Sequence, residues 1–175
     1  MDNYYGEYVG IPIINGDIFE SDADAILHQV NCQGKMGSGV ARQVKERYPF
    51  VYELYKQACD NDKKYRPAGM GKSMLLGYAQ VCPLKSSLAG EEKYKQCIVN
   101  LFAQDKYGYD GKCYTDYGAL QKCLESVNAK FRGKKVAIPY MMSCYRGGGD
   151  WNIVSTIIFN TLKDCDVTFY RYNKG

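Results

Sequence analysis

Two glycine-bearing stretches carry the residue types that hold phosphate. The first, "NCQGKMGSGVARQ", places Gly34, Gly37 and Gly39 ahead of a run in which Val40 and Val44 fall four apart. Backbone N–H groups at Gly37, Ser38, Gly39 and Val40 would point outward at a helix start. There the helix dipole adds to them and an anion is favoured. A strand-to-helix turn using glycine only for its backbone freedom is the alternative. The second stretch, "SCYRGGGDW", sets three consecutive glycines before another helix-like run. Facing the first, it would clamp a diphosphate. Asp150 fits best there as a helix N-cap.

Three further residues have chemistry to offer. His28 is the single histidine, inside an apolar strand-like run, where it is either a hydrogen-bonded core residue or a group working near neutral pH. Asn31 stands at the end of the same run. Asp17, in "NGDIF", can accept from an exocyclic amine or stabilise its own turn. A "GKS" at Gly71–Ser73 resembles the end of a nucleotide-binding phosphate loop. Arg66 stands where that motif needs glycine, and an extended run follows, so it is set aside.

The elements that must position these residues follow from periodicity. Strands are expected over "VGIPII", "ADAILHQVN" (Ala23 to Asn31), "SMLLGYAQVCP" with a turn, "KQCIVNLFAQ", "KKVAIPYM" and "DVTFYRY". Helices are expected after Gly39, from Pro49 through Cys59 with Val51, Leu54, Tyr55 and Ala58 at helical spacing, from about Thr115 to Phe131, and from Trp151 to Leu162. "DNDKKYRPAGMGKS" reads as a loop. Alternating strands and helices give a three-layer α/β domain with a mostly parallel sheet, covering residues 1–175 as one domain. Ligands of such sheets sit beyond the carboxyl ends of the strands.

Composition narrows the classes. Of 175 residues, 46% are hydrophobic and 24% charged, which suits an ordinary globular core. The net charge of +4 is scattered, which argues against a dedicated nucleic-acid-binding tail and leaves room for a locally positive pocket. Eight cysteines without a CxxC, beside one histidine, fit reduced core thiols in a cytoplasmic protein better than disulfides or zinc. No secretory leader and no apolar run of ~20 residues is seen, so no membrane contact is expected. The seventeen tyrosines suit both core edges and the stacking of flat ligands.

In order along the chain, "NGDIF", "AILHQVNCQGKMGSGVARQVKERYP", "GKSMLLG", "CIVNLFAQ", "TDYGALQKCL" and "IPYMMSCYRGGGDW" together resemble the macro domain family over about Val9 to Tyr172. The likeness is to the branch with ADP-ribose 1''-phosphate phosphatases, terminal ADP-ribose glycohydrolases and antitoxin macro domains acting on ADP-ribosylated DNA. It implies a three-layer α/β/α fold around a central mixed, mostly parallel sheet. It implies a monomer that binds ADP-ribose or a derivative, an ADP-ribosylated protein or nucleic acid among them, with no cofactor and no metal. By the resemblance Asp17, assisted by the backbone of Ile18, takes the adenine amine. Asn31 faces the distal ribose. Gly37, Ser38, Gly39 and Val40 form one phosphate loop, and Ser143, Cys144, Tyr145, Arg146 and Gly147 the other. His28 and Asn31 are the catalytic candidates, for removal of a group from the distal ribose C1''; a non-catalytic reader is the alternative.

The chain also departs from the family. Ser143 and Tyr145 stand where glycines are common. Gln104 and Gly147 stand where the terminal glycohydrolases carry a lysine and an aspartate, and Lys106 is two positions out of register.

Overall fold

Residues alternate between two apolar faces along the central strands. In "AILHQVN", Ala25 and Leu27 enter one core cluster while Ile26 and Val30 enter the clusters on the opposite side. "IVNLFA" does the same: Val99, Leu101 and Ala103 face one way, Ile98 and Phe102 the other. A sheet apolar on both faces must be covered on both. The computed structural model shows this, and it describes residues 10–85 and 94–172.

The strands are β1 (Ile13–Asn15), β2 (Ala25–Asn31), β3 (Ala79–Lys85), β4 (Tyr94–Gln104), β5 (Lys135–Pro139) and β6 (Asp166–Arg171). The helices are α1 (Gly39–Arg47), α2 (Pro49–Tyr65), α3 (Tyr117–Lys130) and α4 (Trp151–Thr161), and a 3-10 turn spans Ile18–Glu20. The sheet order is β1-β6-β5-β2-β4-β3. All pairings are parallel except β3 with β4. The mostly parallel three-layer sandwich expected from the sequence is therefore the fold. Helices α1 and α2 cover one face, packing Val44, Val51, Tyr55 and Cys59; α3 and α4 cover the other with Leu120, Leu124, Val154 and Ile158.

Several boundaries move, among them the strand expected from Ser73, which begins only at Ala79 after a turn. The stretch read as a loop from residue 60 begins inside α2, which continues to Tyr65. Cys59 and Asp62 extend the buried stripe of Val51 and Tyr55. Asp62 is buried although charged, because Arg66, the Ser73 hydroxyl and the Met74 N–H all donate to its carboxylate. Thr115 lies outside α3 and instead bridges to Gln104. Asp116 starts that helix, accepting from the Ala119 N–H. On α2 Leu54 is exposed, while Ala58 packs half-buried against the core. Val9 of the first expected strand lies outside the described residues.

All eight cysteines are unpaired, and Cys32, Cys59, Cys82 and Cys123 are buried. Among the described residues no helix is long and apolar enough to cross a membrane, and no group of three His, Cys, Asp or Glu side chains converges.

Candidate ligand-binding site

Because five strands run parallel, their carboxyl ends meet along one edge. The segments leaving them line a single cleft of about 450 Å³, a size suited to a nucleotide-sized ligand. Gly16–Phe19 follow β1, Asn31 to Gln43 follow β2, Gln104–Tyr109 follow β4, Pro139–Gly147 follow β5, and Tyr170–Tyr172 end β6.

At one end, Asp17 caps the 3-10 turn. Its Oδ1 accepts from the Phe19 N–H at 2.9 Å, and its Oδ2 from Arg47 at 3.0 Å. The Arg47 guanidinium also lies 4.7 Å from the centre of the Phe19 ring. The carboxylate is thus held in place while retaining lone pairs toward the cleft. Ile18, buried beside it, supplies apolar wall.

The first loop leaves its donors open. Ser38 takes the N-cap position of α1 in extended conformation, but its side chain makes no capping bond. The first-turn N–H groups, which no helix carbonyl reaches, therefore face the cleft uncapped. A Cβ added at Gly37 or Gly39 would meet nothing within 4 Å. Lys35 also lines the cleft, and its ammonium has no partner among the described residues.

Asn31 closes the turn that launches this loop. Its Oδ1 accepts from the Gln33 N–H and the Tyr55 hydroxyl, and its Nδ2 donates to Lys35 O at 2.8 Å. One Nδ2 hydrogen remains for a ligand.

His28 is 1% exposed, yet it borders the cleft. Asn100 donates through Nδ2 to Gln80, which turns its Oδ1 toward His28 Nε2, 2.5 Å away. Nε2 therefore carries the proton. Nδ1 is a bare acceptor, buried and without a partner among the described residues. Burial pushes the imidazole pKa down to about 4, only partly opposed by Asn100. The ring is neutral at physiological pH, an acceptor rather than a cation.

The second loop is built differently. Met141 and Ser143 are non-glycine residues with left-handed backbone, φ 62° and 72°. Behind them Gln29 donates to Gln104 Oε1 and to Thr115 Oγ1, both at 2.9 Å, and accepts from the Ser143 hydroxyl. Sequence reasoning missed Gln29 and Thr115. The available signal was one polar residue facing the α3–α4 side of an otherwise apolar strand.

Cys144 corrects the expectation for this loop. It is not on the cleft wall: its N–H donates to Met141 O and its thiol turns to Met142 O. Burial pushes that thiol up to about 12, so it is no thiolate. Ser143, Tyr145, Arg146 and Gly147 do line the cleft, and the N–H groups of the last three have no protein acceptor among the described residues. At the rim Tyr145 and Tyr109 are exposed, with the Arg146 guanidinium 4.6 Å from the Tyr109 ring centre.

No family model matches the chain. Individual relatives do. A DNA ADP-ribosyl glycohydrolase of Mycobacterium tuberculosis is 29% identical over 165 residues, covering 92% of this chain and 42% of the relative. An ADP-ribose 1''-phosphate phosphatase of Neosartorya fischeri is 41% identical over 111 residues, 54% of this chain and 56% of the relative. The solved macrodomain of Mycobacterium tuberculosis DarG superposes with a TM-score of 0.63 at 25% identity, covering 92% of this chain and 98% of that one. These sequence relatives and the superposing structure support a macro domain family for the chain. The chain spans less than two thirds of either curated relative.

Proposed function

We propose that the cleft binds ADP-ribose or a derivative and promotes hydrolysis at C1'' of its distal ribose. One observation carries the reading. Two loops with free backbone donors, one at an uncapped helix start and one at Tyr145–Gly147, flank the same cleft that Asp17 closes at its far end. An amine acceptor and two anion sites lining one cleft suit adenine followed by a diphosphate. Lys35, Arg146 and Arg171 give the walls positive charge.

Hydrolysis would replace the bond from C1'' to its substituent with one to water. Catalysis here would rest on positioning and on electrostatic stabilisation rather than on a strong base. Asn31 offers its remaining N–H to the ribose. His28, held neutral with Nδ1 bare, would accept a hydrogen bond from a ribose hydroxyl or from water. The aromatic rim of Tyr107, Tyr109 and Tyr145 favours a flat linked group, such as a base, over a free phosphate as the departing substituent.

A reader without turnover is the second reading, and Gln104 favours it. Where the related glycohydrolases carry lysine, both ends of this amide are tied, to Gln29 and to Lys106 O.

Calorimetry with ADP-ribose tests the shared claim, with a clear loss expected for Asp17→Ala. No binding at millimolar ligand overturns the site. Incubation with ADP-ribose 1''-phosphate, an ADP-ribosylated oligonucleotide and an ADP-ribosylated protein then separates hydrolase from reader. Turnover that survives both His28→Ala and Asn31→Ala removes those residues from the chemistry.

A further inference from the structure

We infer that Gln29 is the positioning residue of the second phosphate loop: its side-chain amide, half-buried beneath that loop, holds Ser143 in a left-handed conformation and so sets the loop's shape before ligand arrives. The inference rests on the ADP-ribose reading above and adds a residue and a device to it.

The direction of every hydrogen bond in the network is determined. Gln104 donates through Nε2 to Lys106 O, so its Oε1 is left to accept. Thr115 donates its hydroxyl hydrogen to Ser143 O or Gly147 O, 3.0 and 3.1 Å away, so its oxygen is also an acceptor toward Gln29. Only Gln29 Nε2, with two hydrogens, satisfies both. That leaves Gln29 Oε1 toward Ser143, which must donate to it. Reversing the Gln29 amide would set oxygen against two acceptors and nitrogen against a donor.

The network joins four chain segments: β2, the end of β4, the approach to α3, and the loop itself. Gln104, Thr115 and Ser143 are buried, so each bond lost leaves a polar group without water to replace its partner. Left-handed backbone is unfavourable for a residue with a side chain. The Gln29 contact offsets that cost at Ser143. Its hydroxyl, turned inward, leaves the cleft side of the loop to backbone N–H groups. The loop then meets a diphosphate already shaped, which is where preorganisation raises affinity.

Three variants test this in the intact chain. Gln29→Leu should weaken ADP-ribose by about tenfold or more, leave AMP, which lacks the distal half of the ligand, within about twofold, and speed amide exchange across residues 141–149 of the ligand-free protein. Gln29→Glu should behave likewise near neutral pH, because a carboxylate cannot donate to Gln104 and Thr115. It should recover part of the loss relative to the parent as pH falls toward about 5 and the carboxyl gains a hydrogen. Ser143→Ala should weaken ADP-ribose more than Ser143→Gly, since only glycine relieves the left-handed backbone. Parent-like ADP-ribose affinity and parent-like exchange in Gln29→Leu overturn the inference while leaving the ADP-ribose reading intact. Equal loss of AMP and ADP-ribose, with faster exchange throughout the sheet, overturns it too, by showing a general folding role. A parent protein that binds no ADP-ribose overturns the reading itself, and the inference with it.

Discussion

The two loops facing each other across the cleft are both rich in glycine, and their glycines do opposite work. In the first loop, a Cβ at Gly37 or Gly39 would project into open space. In the second, a Cβ at Gly147 would come within 2.4 Å of Thr115 Oγ1, 2.6 Å of Ser143 O and 2.8 Å of Gln29 Nε2. One at Gly148 would come within 2.4 Å of Lys112 O. The first set of glycines keeps a surface bare for a ligand. The second set lets the loop seat against its own scaffold. A glycine run before a helix therefore has two physical meanings, and only the surroundings of the missing side chain tell them apart.

The widest gap between the loops should appear with Gly147→Ala. Backbone and a buried hydroxyl stand in the way of the new methyl, so the loop must move and the Gln29 network must open. Overpacking of this kind, joined to lost buried hydrogen bonds, is expected to cost about 3 kcal/mol. Chemical denaturation measures the cost, and ADP-ribose binding should fall with it. A Gly147→Ala protein with parent-like stability would show that the second loop yields easily and would erase the distinction.

A second test uses the adjacent residues His28 and Gln29, which point to opposite layers of the sheet. Gln29 serves the second loop without titrating. His28 is held neutral by burial, with its pKa depressed to about 4. An unfolded histidine takes a proton near pH 6.5 while the folded one does not. Stability from this residue is therefore complete above about pH 6.5 and is lost as pH falls toward 4. Between pH 6.5 and 5 the loss should be about 2 kcal/mol. His28→Gln should flatten that part of the curve relative to the parent, whatever its absolute stability. Parallel curves would mean that the imidazole charges in the folded state.

Much of this arrangement was readable in the sequence, for identifiable reasons. Strand β2 announced itself because five of its seven residues are buried, four of them apolar, and the cap Asp150 lies where a side-chain acceptor starts a helix. The cleft followed from strand order, since parallel strands gather their carboxyl ends. What stayed hidden depends on contacts between residues far apart in the chain. Asp62 reads as part of a charged loop until Ser73 and Met74 are folded onto it. Gln29 and Thr115 meet across 86 positions, and the local pattern marks Gln29 only as a polar residue on an apolar face, without naming its partner. Cys144 looked like a loop donor because its N–H bond to Met141 arises from the turn's own backbone shape.

The smallest effect on stability should come from Gly37→Ala, and it is the sharpest probe of the first loop. Gly37 does not adopt the left-handed backbone that would penalise alanine, and nothing lies within 4 Å of the added methyl. Folding stability should stay within about 0.5 kcal/mol of the parent. If the space exists so that a phosphate can approach the backbone at the start of α1, the methyl will stand between donor and anion. ADP-ribose affinity should then drop by about tenfold or more, while adenosine, which has no phosphate, keeps its affinity. Gly39→Ala would confuse the comparison, because φ 59° there adds a backbone cost unrelated to ligand. Unchanged ADP-ribose affinity in Gly37→Ala would make the open space at this glycine incidental. The first loop would then be a turn and nothing more.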